Sequence, residues 1–187
     1  MQSLETGSPP VAGFAPPDRT TIGDNTQQFI TFTLDGQEYG IDIMVVREIK
    51  GWAETTTIPN APDYVRGVIN LRGVIVPIFD LRSRFGMGRT TPSPMHVVII
   101  VHTRGKTIGL LVDAVSDIIT IEPEAIRPVP EMGLPSDDRF LDGLVAHGDR
   151  MVTLISLNGL FAHINDAAGE LRPATTASKT ESPEASN

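Results

Sequence analysis

FITFTLDGQEYGIDIMVVREI at residues 29–49 lies on VIIVHTRGKTIGLLVDAVSDI at residues 98–118 when the chain is shifted by 69 positions. The two stretches share Ile30/Ile99, Gly36/Gly105, Gly40/Gly109, Val46/Val115 and Ile49/Ile118. A shift of 76 lays GVINLRGVIVPIFDLRSRF (67–85) on GLVAHGDRMVTLISLNGLF (143–161) and pairs Gly67/Gly143, Asp80/Ser156, Leu81/Leu157 and Phe85/Phe161. The difference between the shifts falls in the proline-containing connector 122–142. The chain is therefore one pattern written twice.

Each copy reads as short strands closed by a helical turn. Residues 28–34 and 38–43 flank Asp35-Gly36, a strong short hairpin signal. Residues 65–71 and 74–79 flank Arg72-Gly73, and Pro77 in the return strand predicts an edge or a bulge because it has no N–H to donate. Later strands are expected at 96–102, 107–112, 115–121, 143–147 and 150–155. Asp80 and Ser156 stand where helix caps belong, ahead of helices at 81–85 and 157–167. Five short strands are too few for a sandwich, and closing them into a small barrel removes the sheet edges. The expected fold is all-β: two similar five-stranded, SH3-like barrels packed together within 28–168. Barrel one is expected over about 28–90, barrel two over about 95–156, and a closing helix over about 157–167. Residues 1–27 and 169–187 have too few large apolar side chains to offset ordering entropy and read as disordered tails.

Composition narrows the function. The 187 residues carry 15 Lys and Arg against 23 Asp and Glu, a formal charge of −8, which lacks the basic footprint of a nucleic-acid binder. The longest unbroken apolar run is 97–101, far short of a membrane helix, and the first ten residues have neither the basic start nor the apolar stretch of a signal peptide. With no cysteine there is no disulfide, thiolate metal site or cysteine nucleophile, and a soluble, reduced-compartment protein is expected. His96 and His102 share a strand face without a third ligand at metal spacing. Neither a phosphate loop nor a nucleophile elbow occurs, so no cofactor, metal or catalytic residue is expected. Charge is placed unevenly. Residues 64–89 hold Arg66, Arg72, Arg82, Arg84 and Arg89 against Asp80 alone, whereas 113–149 hold nine acids against Arg127 and Arg139. Such patches suit steered association with protein surfaces.

With NLRGVIVPIFDL (70–81), YGIDIMVVREI (39–49) and GLLVDAVSDI (109–118), together with IRPVPEM (126–132) and GDRMVTLI (148–155), the chain resembles the CheW family of chemotaxis coupling proteins over about 28–164. The resemblance implies two intertwined barrels. It implies a non-enzymatic adaptor between the cytoplasmic tips of transmembrane chemoreceptors and the histidine kinase CheA, whose own CheW-like domain pairs with it barrel to barrel. It also implies a cytoplasmic protein recruited to receptor arrays at the inner face of the membrane, without membrane insertion. No room is left for a receiver domain outside 28–164, so the chain looks like a free-standing coupler. At the family's receptor- and kinase-binding positions this sequence has Val46, Glu48, Gly67, Arg72, Ile75, Gly109 and Val115. The resemblance implies that Val46, Ile75 and Val115 form the apolar floor of a groove between the barrels, with Glu48 and Arg72 at its rim. Arg72 occupies a turn position that Asn or Asp would suit better, which favours use of its charge. Glycines at 67 and 109 also fit a bulge or a close backbone approach. The alternative function is an SH3-like peptide- or protein-binding adaptor in another pathway, which requires several exposed aromatics.

Overall fold

The computed structural model describes residues 26–130 and 140–161. The first repeat supplies β1 (Gln27–Leu34), β2 (Gln37–Asp42), β3 (Val46–Gly51), β4 (Val65–Leu71), β5 (Val74–Asp80) and the short helix α1 (Leu81–Arg84). The second supplies β6 (Val97–Thr103), β7 (Lys106–Val112), β8 (Ala114–Ile121), β9 (Leu141–His147), β10 (Arg150–Ile155) and α2 (Leu157–Leu160). Turn chemistry sets the hairpins. Asp35, Arg72 and Arg104 sit at φ of 51°, 51° and 49°, each followed by a glycine with positive φ, the backbone that a two-residue hairpin loop needs. Both caps form: the Asp80 carboxylate accepts from Ser83 N–H and the Ser156 hydroxyl from Gly159 N–H. The expected tails, and the closing helix beyond residue 161, lie outside the described residues.

The strands make two five-stranded sheets. The first has the order β8-β1-β2-β10-β9 and the second β3-β6-β7-β5-β4. The two orders map onto each other when each strand is exchanged for its repeat partner. The central hairpin of each sheet thus comes from one repeat, and the three strands around it come from the other. Register repeats this relation: Ile78 pairs with Gly109 where β5 meets β7 in parallel, and Leu154 pairs with Gly40 where β10 meets β2. Barrel boundaries at 28–90 and 95–156 are therefore incorrect. The first sheet draws on 27–42 and 114–155, and the second on 46–112. The physical reason is that a strand's pattern fixes its apolar face but not the strand that will pair with its edge. Closure within a repeat and exchange between repeats satisfy the same pattern.

Alternate side chains fill three cores. Ile30, Phe32, Leu34 and Ile41 from the first sheet meet Phe79, Leu81, Ile99, Val101 and Leu110 from the second in a shared core, which Leu157, Leu160 and Phe161 of the α2 region complete. Phe29, Ile119, Val145, Val152 and Leu154 fill the first sheet's own interior. Val76, Ile78, Val98, Ile100 and Leu111 fill the second's. In β6 the two faces alternate residue by residue, so all of Val98, Ile99, Ile100 and Val101 are buried. Each such aliphatic contributes about 1.5–3 kcal/mol of transfer free energy, and the shared core ties the sheets into one unit.

Two local expectations change. Residues 46–51 form a strand, β3, that the alternation reading passed over. It is an outer strand with no fully buried residue, so VREIKG carries no apolar period. Pro77 lies in an interior strand, yet pairing of β5 with β7 begins only at Ile78. Its missing N–H therefore costs no bond to that neighbour, and the bulge falls opposite, between Val65 and Gly67 of β4.

Candidate protein-docking cleft

β3 and β4 end the second sheet on opposite sides, but curvature brings them together. The Arg72 guanidinium, 76 % exposed at the β4–β5 turn, forms an ion pair with Glu48 on β3. Lys50 flanks the same carboxylate at 3.7 Å. Asn70 fixes the turn, its side-chain oxygen accepting from Gly73 N–H at 2.8 Å. A cleft of about 330 Å³ opens here, with Arg47, Glu48, Arg72 and Thr107 around Leu71, Val74, Val76 and Ile100. Beside it Val74 and Ile75 are 54 % and 62 % exposed. An apolar wall with an ion pair at its rim can seat a protein segment and fix its register.

Of the seven residues expected at the site, Glu48 and Arg72 come together in this cleft. Ile75 is exposed on β5 itself, where alternation turns it away from Val74 and Val76. Val46 and Val115 are half-buried against the shared core, at equivalent first positions of β3 and near the start of β8. Gly109 lies inside the second sheet, where an added Cβ would meet Ile78 and would stand 2.8 Å from Val98. Gly67 is buried at φ +134°, and a Cβ there would run into the Thr56 carbonyl. That closeness admits the Thr56–Val68 bridge, in which each backbone N–H donates to the other residue's carbonyl at 2.9 Å. Gly143 does the same for the Arg127–Leu144 bridge, so the duplicated glycines share one structural task.

Leu71, Val74, Val76, Ile100 and Thr107 were not anticipated. Leu71, Val74 and Val76 lie within the quoted 70–81 stretch, but only barrel closure shows which face looks into the cleft. Several other charged and polar side chains pair within the fold. Arg82 donates to Asp35 at 2.9 Å and stands 3.7 Å from Asp113. Arg84 lies over the Tyr64 and Phe140 rings. The His96 ring takes the Ser93 N–H at 3.1 Å, and the His102 ring meets the Thr107 hydroxyl at 3.1 Å. Among the described residues no cluster of ligating side chains is placed to hold a metal ion, and no helix is long and apolar enough to cross a membrane. Phe29, Phe32, Tyr39, Phe79 and Phe161 are buried and Trp52 packs on the second sheet's interior. Tyr64, Phe85 and Phe140 are half-buried, so among the described residues no Phe, Tyr or Trp is fully exposed as the SH3-like alternative requires.

The chain is similar to known proteins over most of its length. The family model described as CheW-like domain matches residues 28–165. A probable chemotaxis protein CheW from Rhizobium etli is 43 % identical over 148 residues, covering 79 % of this chain and 96 % of the relative. A chemotaxis protein CheW from Klebsiella aerogenes is 43 % identical over 142 residues, 76 % of this chain and 84 % of the relative. The crystal structure of the scaffolding protein TtCheW from Thermoanaerobacter tengcongensis superposes with a TM-score of 0.68 at 35 % identity, covering 77 % of this chain and 93 % of that one.

Proposed function

The chain belongs to the CheW-like domain family, and from that premise we propose that it is a non-enzymatic adaptor of bacterial chemotaxis. In this reading it couples the cytoplasmic tips of transmembrane chemoreceptors to the histidine kinase CheA and is recruited to receptor arrays at the inner membrane face. The observation that carries the reading is the family match, which spans both sheets and the shared core rather than one motif. The names of the relatives, chemotaxis protein and scaffolding protein, support the same role.

The cleft at Glu48 and Arg72 supplies the docking surface. A receptor tip is a helical hairpin, and an amphipathic helix would lay its apolar face along Leu71 and Val74 while the ion pair sets its register. Titration of receptor-tip and CheA fragments against Arg72→Ala tests this. The variant is expected to melt like the parent, because an exposed ion pair contributes only about 0–1 kcal/mol. Binding of at least one partner is expected to weaken by about 1–3 kcal/mol. Normal melting with unchanged affinity for both fragments removes Arg72 from the site. In a kinase assay the protein should raise CheA phosphorylation only when receptor fragments are present, and equal stimulation without receptor defeats the coupling role.

A further inference from the structure

The ladder between β3 and β6 is irregular beside Glu48. Val46 pairs with Val101 and Glu48 with Ile100, so Arg47 is an extra residue without a ladder partner of its own. In a regular strand Arg47 and Glu48 would point to opposite faces. The bulge re-aims the chain, and Arg47, Glu48 and Ile100 all line the cleft. We propose that Arg47 sets the choice of partner: the segment seated in the cleft presents an aspartate or glutamate beside its apolar face, and that carboxylate pairs with the Arg47 guanidinium. The inference rests on the docking role given above for the cleft and adds the chemistry of what docks there.

The charge balance of the rim calls for an acid from outside. Glu48 is the one carboxylate among the lining residues. It is already engaged, since Arg72 holds one of its oxygens and Lys50 stands 3.7 Å from the other. Among the described residues no carboxylate lies within ion-pair distance of Arg47, which is exposed. Three cations, Arg47, Lys50 and Arg72, against Glu48 alone leave the rim at +2, on a chain whose formal charge is −8. Water alone can satisfy an exposed arginine, so its lack of a partner is not what singles it out. The bulge does, because regular pairing is given up to bring Arg47 onto the cleft face.

Docking changes the surroundings of that charge. A helix laid along Leu71 and Val74 displaces water from the rim, and a guanidinium fork there matches a carboxylate with two parallel hydrogen bonds. A neutral helix would strip water from Arg47 and return no bond, and a basic one would meet like charge. The cleft therefore discriminates against both.

The test titrates the full chain and its Arg47→Ala, Arg47→Glu and Arg72→Ala variants with a receptor-tip hairpin fragment at low and moderate salt, with thermal melts alongside. Both Arg47 variants are expected to melt like the parent, since that side chain is exposed. Arg47→Ala should bind about fivefold more weakly, the upper end of what an exposed ion pair contributes, and its affinity should depend less on salt. Arg47→Glu should bind more weakly still. Changing the acidic residues of the tip to lysine one at a time should find one that weakens binding to the parent and restores binding to Arg47→Glu. If Arg72→Ala weakens binding while both Arg47 variants bind like the parent, the docking role stands and the inference about Arg47 falls. If neither arginine affects affinity, the docking role falls and the inference with it. Failure of every lysine change to rescue Arg47→Glu also overturns the pairing.

Discussion

Gly67 and Gly109 are the same residue type on the two strands that flank β5, yet replacing each has a different cost. At Gly109 an alanine methyl would press on the side-chain ends of Ile78 and Val98. Those ends can shift, so Gly109→Ala should lose about 1–3 kcal/mol, the usual range for overpacking. At Gly67 the methyl would meet a backbone carbonyl, and φ +134° disfavours any side chain. Gly67→Ala should lose more, since the Thr56–Val68 bridge must open. Urea unfolding ranks the two, and a Gly67→Ala midpoint equal to the parent's rejects the account. Tyr39 gives a pH dependence. Its ring is buried in the shared core, and desolvation, followed by the charge of Asp35, raises its pKa. The folded state then holds the phenolic proton more tightly than the unfolded state does. The resulting stability is fully present below the ordinary tyrosine value of about 10 and is lost as pH climbs through the raised folded value. Alkaline melts of Tyr39→Phe should show a shallower fall over that range, and a parallel fall contradicts this.

At the scale of elements, Asp80 joins three pieces of chain. It ends β5, caps α1 and anchors Thr90 beyond the loop at 86–88. Asp80→Ala strands Ser83 N–H, the Thr90 donors and the Arg66 charge. It should cost on the order of 3 kcal/mol, because hydrogen bonds to a charged group contribute about 1.5–3 each and water can repair only part of the loss. Chemical denaturation measures this, and a change under about 0.5 kcal/mol, the range of featureless surface sites, counts against the anchoring role. The caps, the hairpin turns and most strands were legible in the sequence because they depend on neighbours within a few residues. Asp80 with Ser83, or Arg72 with Gly73, needs nothing distant. β3 was not legible, since an outer strand with charges on VREIKG shows no apolar period. The candidate site was legible in part. Glu48 and Arg72 were named from resemblance, but their ion pair spans 24 positions and exists only because the sheet curls. The wall formed by Val74, Val76 and Ile100 depends on the same closure.

At the scale of the whole molecule, the exchange of hairpins governs cooperativity. Neither repeat owns a complete sheet, and the shared core takes residues from both. Fragments 1–92 and 93–187 should each lack a cooperative melt when alone and recover one when mixed. Circular dichroism and amide spectra read this directly, and a cooperative transition in either isolated fragment defeats it. The intact chain should unfold in one transition. The duplication foretold two like sheets, but the exchange lay beyond it, because partner choice leaves no mark on a strand's own pattern. Synthesis meets that exchange in a fixed order. Strands β3 to β7 have all emerged by Val112, so the second sheet can assemble on what has already been made. β1 and β2 leave the ribosome before the other described strands, yet their outer neighbours β8 and β10 do not exist until 114–155 are translated. At roughly 5–20 residues per second, the oldest hairpin waits on the order of ten seconds with Phe29, Ile30, Phe32 and Leu34 short of their final cover. The earliest-made of the described hairpins is thus the last to be housed.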